Sequence, residues 1–337
     1  MPLAGSVVVV TGASSGLGRA TALGLADEGA ALVLVARGRP ALEHVAARCR
    51  ERGATAASIV VADIADSAAV ERVRHHAVEQ HGEIDVWVQA AASVVAGPLG
   101  QESAEERDAI VRTDVAGTLH CAAVALQQFR AQRHGTLVLV SSLLGMVPNP
   151  VVPAYVMAKF SVRGLGLSLR RAVADERDLH VCVVLPGPMD TPLFQRAANH
   201  TGFRLRAIPP AGAPERTART ILSCIRRPRR QATSGVLAHC VLVTHRISPR
   251  ATEWAVARWA GRLITTRERE EATTGTLLRP STLAGSVSGG WRRGGLRRRW
   301  GDALGVGHEG RARRSRPASE VHTIVLPVGR ERAVRQP

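Results

Sequence analysis

The chain has 337 residues, of which 45% are hydrophobic, so it is long and apolar enough to bury one α/β core with an extension. Its formal net charge of +17 is typical of nucleic-acid binders, but residues 285–337 hold twelve arginines against four acidic residues and account for nearly half of that excess. The five cysteines form no C-x-x-C pair and the histidines show no metal-ligand spacing, which predicts a cytoplasmic protein with reduced thiols and without a metal site.

Apolar runs alternate with helical patterns from the amino terminus to about residue 185. Strands are predicted at 6–11, 31–36, 58–62, 84–89, 136–141 and 180–185, and helices at 17–28, 40–52, 67–81, 104–133 and 154–177. This order predicts a Rossmann-like doubly wound parallel sheet with helices on both faces. The valine-rich strands agree with a sheet that is buried on both sides.

The pattern becomes irregular after Pro186, where the proline-rich segment 187–212 predicts a long loop with a short helix at 193–199. Loops of this length in a compact domain usually have a function, and we expect this one to cover a substrate. The elements predicted after the loop are a helix at 214–226, a last strand at 232–237 and an amphipathic helical region at 248–269.

Three regions are therefore predicted: a catalytic domain at 1–230, a strand and helical extension at 231–272, and an Arg/Gly-rich tail at 273–337. The tail is expected to be mostly disordered, because it has little apolar surface to bury. Since the excess charge is concentrated in this tail, no specific nucleic-acid partner is expected. No run of about 18 apolar residues occurs, so no membrane-spanning helix is expected.

A glycine-rich segment connects the first predicted strand to the first predicted helix. Glycine permits a tight turn and a close approach of the backbone to phosphate, and the following helix N-terminus offers free N–H groups to a pyrophosphate. This context favours a dinucleotide site over a purely structural glycine turn. The residues predicted to bind the dinucleotide here are Gly12, Ser14, Ser15, Gly16, Leu17 and Gly18.

The end of the second strand predicts which dinucleotide is preferred. An acidic residue there would bind the ribose 2′-hydroxyl of NAD, but this chain has Ala36 followed by Arg37, with Arg39 close by. An arginine favours a 2′-phosphate through charge-assisted hydrogen bonds, which predicts NADP(H) over NAD(H). The alternative is a solvated surface arginine. Asp63, after the third strand, is expected to accept a hydrogen bond from the adenine amine.

Tyr155 and Lys159 are four residues apart on a predicted helix and therefore share one face. An ammonium near a phenol lowers the pKa of the phenol and makes it usable as an acid or base. Ser142, after the fifth long strand, is placed to bind the same substrate oxygen. The chain contains one tyrosine and one lysine, and its other 44 basic residues are arginine. Arginine cannot replace lysine as a compact donor, so the pair indicates a catalytic site.

These motifs resemble the short-chain dehydrogenase/reductase family over about residues 4–230. The resemblance rests on Thr-Gly-x-x-x-Gly-x-Gly at 11–18, Ser142 thirteen residues before Tyr155, Tyr-x-x-x-Lys, and Pro-Gly at 186–187 with Thr191. It implies a Rossmann fold with a seven-stranded sheet.

The resemblance also implies roles for individual residues. Tyr155 would be the general acid/base, Ser142 would orient the substrate carbonyl, and Lys159 would bind the nicotinamide ribose and lower the tyrosine pKa. The residues that it places beside the cofactor are Ile64, Ala90, Ala91, Pro186, Gly187 and Thr191.

Two segments depart from the family pattern. Where the family usually has Asn-Asn-Ala-Gly after the fourth strand, this chain has Gln-Ala-Ala-Ala at 89–92. The family's fourth catalytic residue is an asparagine that anchors a water relaying protons through the lysine, and Asp114 holds that place three residues before Gly117. An ionised aspartate accepts from that water but cannot donate, and it can pair with Lys159.

The sequence leaves two functions open. One is an NADP(H)-dependent carbonyl reductase or alcohol dehydrogenase, whose small-molecule substrate is partly apolar because Leu193, Phe194 and Phe203 lie in the predicted lid. The other is a cofactor-binding scaffold or redox sensor with little catalysis, suggested by Asp114 and the altered 89–92 segment. The glycine spacing and the short substrate region argue against a sugar-nucleotide epimerase or dehydratase. Homo-oligomers are common in the family, but no residue here identifies an interface.

Overall fold

The computed structural model describes residues 2–280 and 285–292. The strands, in chain order, are β1 Val7–Thr11, β2 Ala31–Ala36, β3 Ala56–Val61, β4 Val86–Gln89, β5 Val95–Ala96, β6 Gly135–Val140, β7 Leu179–Pro186, β8 Ala198–Asn199, β9 Phe203–Leu205, β10 Gln231–Ser234 and β11 Thr265–Arg269. The helices are α1 Gly16–Ala26, α2 Arg39–Glu51, α3 Ser67–His81, α4 Ala104–Ile110, α5 Gly117–Gln132, α6 Pro153–Ala172, α7 Pro214–Arg226, α8 Val236–Ile247 and α9 Pro249–Ile264.

Seven strands form one sheet in the order β3-β2-β1-β4-β6-β7-β10. Every neighbouring pair in it is parallel. The chain winds outward from β1 to β3 and then returns to the other side of β1 with β4, so the order reverses between β1 and β4. Ligands bind in open α/β sheets at this reversal, beyond the carboxyl ends of the strands. The predicted Rossmann-like doubly wound sheet is confirmed.

Helices cover both faces of the sheet. One apolar layer joins the sheet to α1, α2 and α7, and the other joins it to α3, α5 and α6. Because both faces are covered, β1, β4 and β6 are buried along their whole length, which explains why they are mostly apolar and rich in valine. The bounds predicted for α3 and α7 agree with the structure residue for residue.

The predicted helix at 104–133 is continuous but irregular, because a π-helical segment at Val111–Ala116 separates α4 from α5. Among the described residues, Ala104–Gln132 is the one helix long and apolar enough to span a membrane by length and composition, and 56% of its most apolar window is buried inside the molecule. It packs against α3 and the sheet. A core helix has the same composition, so the apolar sequence is accounted for by burial in the protein.

Three local predictions are wrong. Within the described loop after β7, residues 193–199 form no helix; instead β8 pairs with β5, and β9 pairs with β11 from the far end of α9. Asn199 ties this arrangement together, since its side chain donates to the Phe203 carbonyl at 2.9 Å and to Glu270 at 2.8 Å. Residues 236–237, predicted as strand, begin α8. Residues 265–269, the end of the predicted helical region at 248–269, form β11 instead. β8, β9 and β11 each pair with a strand that is distant in sequence, which local patterns do not reveal.

The seventh strand, β10, lies just past residue 230, where the sequence placed the end of the catalytic domain. The sheet therefore extends into the region predicted as an extension. The five cysteines all lie in described residues and are unpaired; four are buried and Cys240 is exposed.

Of the tail at 273–337, which the sequence predicts to be mostly disordered, the structure describes residues 273–280 and 285–292. Thr273 forms an antiparallel bridge with Asn199, and Leu277 is 3% exposed in an apolar cluster with Ile110 and Ala158. Sequence composition alone underestimated the order because the apolar surface that Leu277 covers is supplied by other elements. The rest of the tail lies outside the described residues.

Candidate active site

The glycine loop between β1 and α1 is tightly packed against neighbouring backbone. Gly12 has a φ of +68°, and a Cβ there would lie 2.8 Å from the Ala91 Cα. A Cβ on Gly18 would run into the Gly12 carbonyl oxygen. Gly16 has a φ of +52° and opens α1. Glycine is therefore required at these positions, and its small size brings the loop and the α1 N-terminus close to the end of β4.

Gln89 belongs to a buried hydrogen-bond network below the glycine loop. The Thr11 hydroxyl donates to the Gln89 Oε1 at 2.5 Å, and the Gln89 Nε2 donates to the Thr118 hydroxyl at 3.3 Å. The backbone N–H groups of Ala90 and Ala91 donate to the Thr11 hydroxyl at 3.1 and 3.3 Å. Although residues 89–92 depart from the family pattern, their hydrogen bonds still join β1, β4 and α5.

Replacing Gln89 with leucine is expected to lower the free energy of unfolding by about 1–3 kcal/mol, because it removes a partner from the buried hydroxyls of Thr11 and Thr118. Urea unfolding followed by circular dichroism measures this loss. The matched control is Gln127→Leu, on the exposed side of α5, which should stay within about 0.5 kcal/mol of the wild type. Equal stabilities of the two variants would contradict a stabilising role for the network.

Arg37 lies at the end of β2 beside Asp63. Its Nη1 is 3.8 Å from an Asp63 carboxylate oxygen. The same guanidinium donates to the carbonyls of Leu277 at 2.9 Å and Thr276 at 2.7 Å. Asp63 accepts from the Ala65 N–H at 3.0 Å, so its carboxylate is held at the start of the turn before α3. Arg37 and Asp63, which are predicted to bind the 2′-phosphate and the adenine amine of the dinucleotide, are therefore adjacent.

Tyr155 and Lys159 lie on α6, with the Lys159 Nζ 5.3 Å from the centroid of the Tyr155 ring. The Ser141 hydroxyl donates to the Lys159 carbonyl at 2.7 Å and fixes the helix to the end of β6. Ser142 follows directly, and its hydroxyl accepts the Leu144 N–H at 3.1 Å at the start of a short 3₁₀ turn. Three of the four predicted catalytic side chains, those of Ser142, Tyr155 and Lys159, are brought together at the carboxyl edge of the sheet.

Asp114 lies behind this group, in the π-helical segment. Its side chain is fully buried, and one carboxylate oxygen accepts the Ser93 N–H at 2.8 Å. The other oxygen is 3.6 Å from the Lys159 Nζ, too long for a hydrogen bond, so the two form an ion pair. The Lys159 Nζ also approaches the Val140 carbonyl at 3.4 Å. Asp114 is therefore the buried charged partner of the lysine.

Burial controls the protonation of this group. It raises the pKa of Asp114 to about 6, although Lys159 and the Ser93 N–H both lower it. It also raises the pKa of the Tyr155 phenol above its ordinary value, and the Asp114 charge raises it further, while the hydrogen bond with Ser142 lowers it. The pKa of Lys159 is lowered by the same burial. The sequence predicted that Lys159 would lower the tyrosine pKa; in the structure the opposing effects of burial and Asp114 prevail.

Because Tyr155 is the chain's single tyrosine, its ionisation can be followed by ultraviolet absorbance without interference from another phenol. In the cofactor-free protein the phenolate is expected to form only above the ordinary pKa of about 10, whereas in denaturant it should form near 10. Asp114→Asn should lower the midpoint of the folded protein, since it removes the carboxylate that repels the phenolate. A midpoint that does not move in this variant would show that Asp114 exerts no charge effect on Tyr155.

A cavity of about 300 Å³ opens at the carboxyl ends of the central strands. Its apolar end is formed by Val94, Val152, Phe194 and Ile208, which pack with Tyr155. Asp114 does not line it, and the lining does not include Phe203, which lies 39% exposed beside Arg269. The predicted site residues that line the cavity are Gly12, Ser14, Ser15, Gly16, Leu17, Gly18, Arg37, Asp63, Ile64, Ala90, Ala91, Ser142, Tyr155, Lys159, Pro186, Gly187 and Thr191.

Sequence reasoning missed the part of the site contributed by the carboxyl-terminal segment. Thr276, Leu277 and Pro280 line the cavity, and the Ser286 carbonyl accepts the Gly16 N–H at 2.8 Å. No local sequence signal could have indicated these contacts, because they join residues about 270 positions apart and are made mainly by backbone atoms.

One group of possible metal ligands occurs among the described residues, away from this cavity. It consists of Glu83, Asp85 and His134. Asp85 already accepts the Val7 N–H at 2.8 Å, and the His134 Nε2 lies 3.4 and 3.5 Å from the two carboxylates. These contacts join the starts of β1, β4 and β6, so the cluster has a structural explanation that needs no metal ion.

Known proteins agree with this architecture. The family model for short chain dehydrogenase matches residues 6–202. An uncharacterized oxidoreductase of Bacillus subtilis (strain 168) is 29% identical over 254 residues, which cover 73% of this chain and 70% of that protein. The 3-oxoacyl-(acyl-carrier-protein) reductase of Thermotoga maritima is 29% identical over 227 residues, covering 66% of this chain and 91% of that protein.

A solved structure shows the same fold. The crystal structure of a short chain dehydrogenase/reductase from Burkholderia phymatum in complex with NAD superposes with a TM-score of 0.68 at 22% identity, covering 76% of this chain and 96% of that chain. The family model spans more than half of the sequence, and the seven-stranded parallel sheet agrees with it. This chain therefore belongs to the short chain dehydrogenase family of oxidoreductases.

Proposed function

We propose that the protein transfers a hydride between NADP(H) and a small, partly apolar carbonyl or alcohol, with Tyr155 as the general acid/base. One observation carries the proposal: the side chains of Ser142, Tyr155 and Lys159 line the same cavity as the glycine loop. A dinucleotide held by the loop would extend toward the tyrosine. The apolar end of the cavity, around Val152 and Phe194, would accept the substrate.

The residues of the loop fit a dinucleotide. The close contacts of Gly12 and Gly18 leave the backbone, rather than a side chain, facing the cavity, and the N-terminus of α1 supplies N–H donors for a pyrophosphate. The nicotinamide, when bound, would supply or accept the hydride. Pro186, Gly187 and Thr191 would flank it.

The protein's own groups would handle the proton. In the reducing direction the Ser142 hydroxyl hydrogen-bonds the substrate carbonyl oxygen, and the Tyr155 hydroxyl donates its proton to that oxygen as negative charge develops. The Lys159 ammonium stabilises the phenolate that remains. Since burial and Asp114 raise the pKa of Tyr155, the free protein holds the phenol protonated at neutral pH, which favours its role as an acid. Asp114, paired with Lys159, would occupy the end of the proton relay.

A hydride-transfer assay with a panel of ketones and alcohols tests this function. Oxidation of NADPH with at least one ketone is expected. Tight NADPH binding without turnover of any substrate would instead favour the second candidate, a cofactor-binding scaffold or redox sensor. The observation that favours this alternative is the buried Asp114–Lys159 ion pair, which competes with the phenolate for the lysine charge.

The preference for NADP(H) depends on Arg37. Its guanidinium would bind the 2′-phosphate, and charge-assisted hydrogen bonds contribute about 1.5–3 kcal/mol, or roughly ten- to hundredfold in affinity. A larger thermal shift with NADPH than with NADH is expected, and Arg37→Asp should abolish or reverse the difference. The matched control, Arg48→Asp, changes a solvent-exposed arginine of α2 and should leave the difference between the two thermal shifts unchanged. Equal shifts from the two cofactors in the wild type would remove the preference.

A further inference from the structure

The carboxyl-terminal residues 276–280 and 285–292, here called the strap, lie across the proposed dinucleotide site. Residues 276, 277 and 280 line the cavity beside Arg37. Residues 285–292 pass over the glycine loop: the Gly285 carbonyl accepts from the Arg19 guanidinium, and the Ser286 carbonyl accepts the Gly16 N–H at 2.8 Å. The strap thus contacts both ends of the dinucleotide-binding edge of the sheet.

The contact with Gly16 is the most informative. An N–H at the start of α1 is one of the unpaired donors that a pyrophosphate would use. A backbone amide has a single hydrogen, so it cannot serve the Ser286 carbonyl and a phosphate oxygen at full strength at the same time. The strap carbonyl therefore takes the place of a phosphate oxygen at this donor.

The second phosphate-binding group is engaged in the same way. The Arg37 guanidinium, proposed to bind a 2′-phosphate, donates to the carbonyls of Thr276 and Leu277 at 2.7 and 2.9 Å. The Leu277 side chain is 3% exposed and holds this part of the strap in place. Two separate donors of the proposed cofactor site thus bind strap carbonyls.

Side-chain contacts anchor the strap at its far end, on the loop after β7. The buried Asp190 carboxylate accepts from the Ser288 hydroxyl and from the Trp291 N–H, each at 2.8 Å. The Trp291 indole N–H donates to the Thr191 carbonyl at 3.0 Å. Thr191 is the residue expected beside the nicotinamide, so the strap spans the cleft from the phosphate end to the nicotinamide end.

We propose that the strap is an intramolecular occupant of the dinucleotide site, which fills the phosphate-binding positions in the cofactor-free protein and is displaced when the dinucleotide binds. This inference rests on the proposed function. The apparent dissociation constant for NADPH then equals the intrinsic constant divided by the fraction of molecules with the strap released. Detaching the strap should therefore tighten cofactor binding.

Two variants detach the strap without changing the catalytic or cofactor-binding residues. A side chain at Gly285 would run into the Ser14 carbonyl oxygen, so Gly285→Val cannot dock. Trp291→Ala removes the indole anchor. The matched control is Trp254→Ala, which truncates a tryptophan that is 68% exposed on α9. By isothermal titration of the full chain, the two strap variants should bind NADPH about tenfold more tightly or better, and the control should match the wild type. An unchanged affinity in both strap variants would overturn the competition.

Hydrogen exchange at the Gly16 amide, measured by NMR without cofactor, tests the docking itself. Protection in the wild type that is lost in Gly285→Val is expected. Rapid exchange in the wild type would overturn the strap proposal and leave the proposed function standing. The Gly16 amide could be protected in the wild type and unprotected in Gly285→Val while neither of these two proteins binds NADPH or NADH. In that case the proposed function fails, and the exchange data alone support occupancy of the cleft by the strap.

Discussion

Replacing Tyr155 with phenylalanine is expected to lower the rate of hydride transfer by about 10²–10⁴-fold, the usual contribution of a positioned general acid. The phenylalanine keeps the ring that packs with Val152 and Phe194, so the cavity should keep its shape. NADPH binding should change little, because the lost hydroxyl lies at the substrate end of the cavity. Single-turnover oxidation of NADPH with a reactive ketone measures the loss.

The control for this variant removes a hydroxyl from the same helix. Ser161→Ala deletes a side chain whose hydroxyl donates to the Ala158 carbonyl at 2.7 Å, two residues beyond Lys159 and outside the cavity lining. Its rate should remain close to that of the wild type. If Tyr155→Phe kept more than about a tenth of the wild-type rate, another group would have to donate the proton, and the proposed mechanism would be wrong.

The sequence predicted the sheet and the grouping of Tyr155, Lys159 and Ser142 well, because both depend on local patterns. Strand–helix alternation determines the order of the elements, and a spacing of four residues places two side chains on one helix face. The starts of α3 and α7 were predictable because each has a clear local signal, an Asp66 N-cap in one case and Pro214 at the first turn in the other.

The parts that could not be predicted depend on contacts distant in sequence. β8 forms because β5 supplies a partner about 100 residues earlier, and the strap is ordered by the glycine loop about 270 residues earlier. The protonation of Tyr155 was predicted in the wrong direction, because proximity to Lys159 was visible in the sequence but burial and the position of Asp114 were not. The pKa of a side chain depends on its burial and on nearby charges, and both are determined only when the chain has folded.

Replacing Lys159 with methionine is expected to destabilise the folded protein by about 3–5 kcal/mol at pH 9, because it leaves the Asp114 carboxylate buried without its partner. The loss should be much smaller at pH 5. Asp114 has a folded-state pKa of about 6, above its ordinary 3.8, so its contribution to stability is fully present below pH 3.8 and is lost as the pH rises through 6. Without Lys159 the pKa of Asp114 rises further, so the loss of stability in Lys159→Met appears only at a pH above that raised value.

A double-mutant cycle isolates this effect from the loss of lysine packing. Adding Asp114→Asn to Lys159→Met removes the buried charge, so the double variant should recover most of the stability lost at pH 9. Arg112→Met, an exposed arginine on the same π-helical segment, serves as the matched control and should stay near the wild type at both pH values. Urea unfolding of the wild type, Asp114→Asn, Lys159→Met and the double variant at pH 5 and 9 gives the coupling energy, and Arg112→Met is measured beside them. A double variant no more stable than Lys159→Met would mean that Asp114 is neutral in the folded protein, and its proposed charge effect on Tyr155 would fail with it.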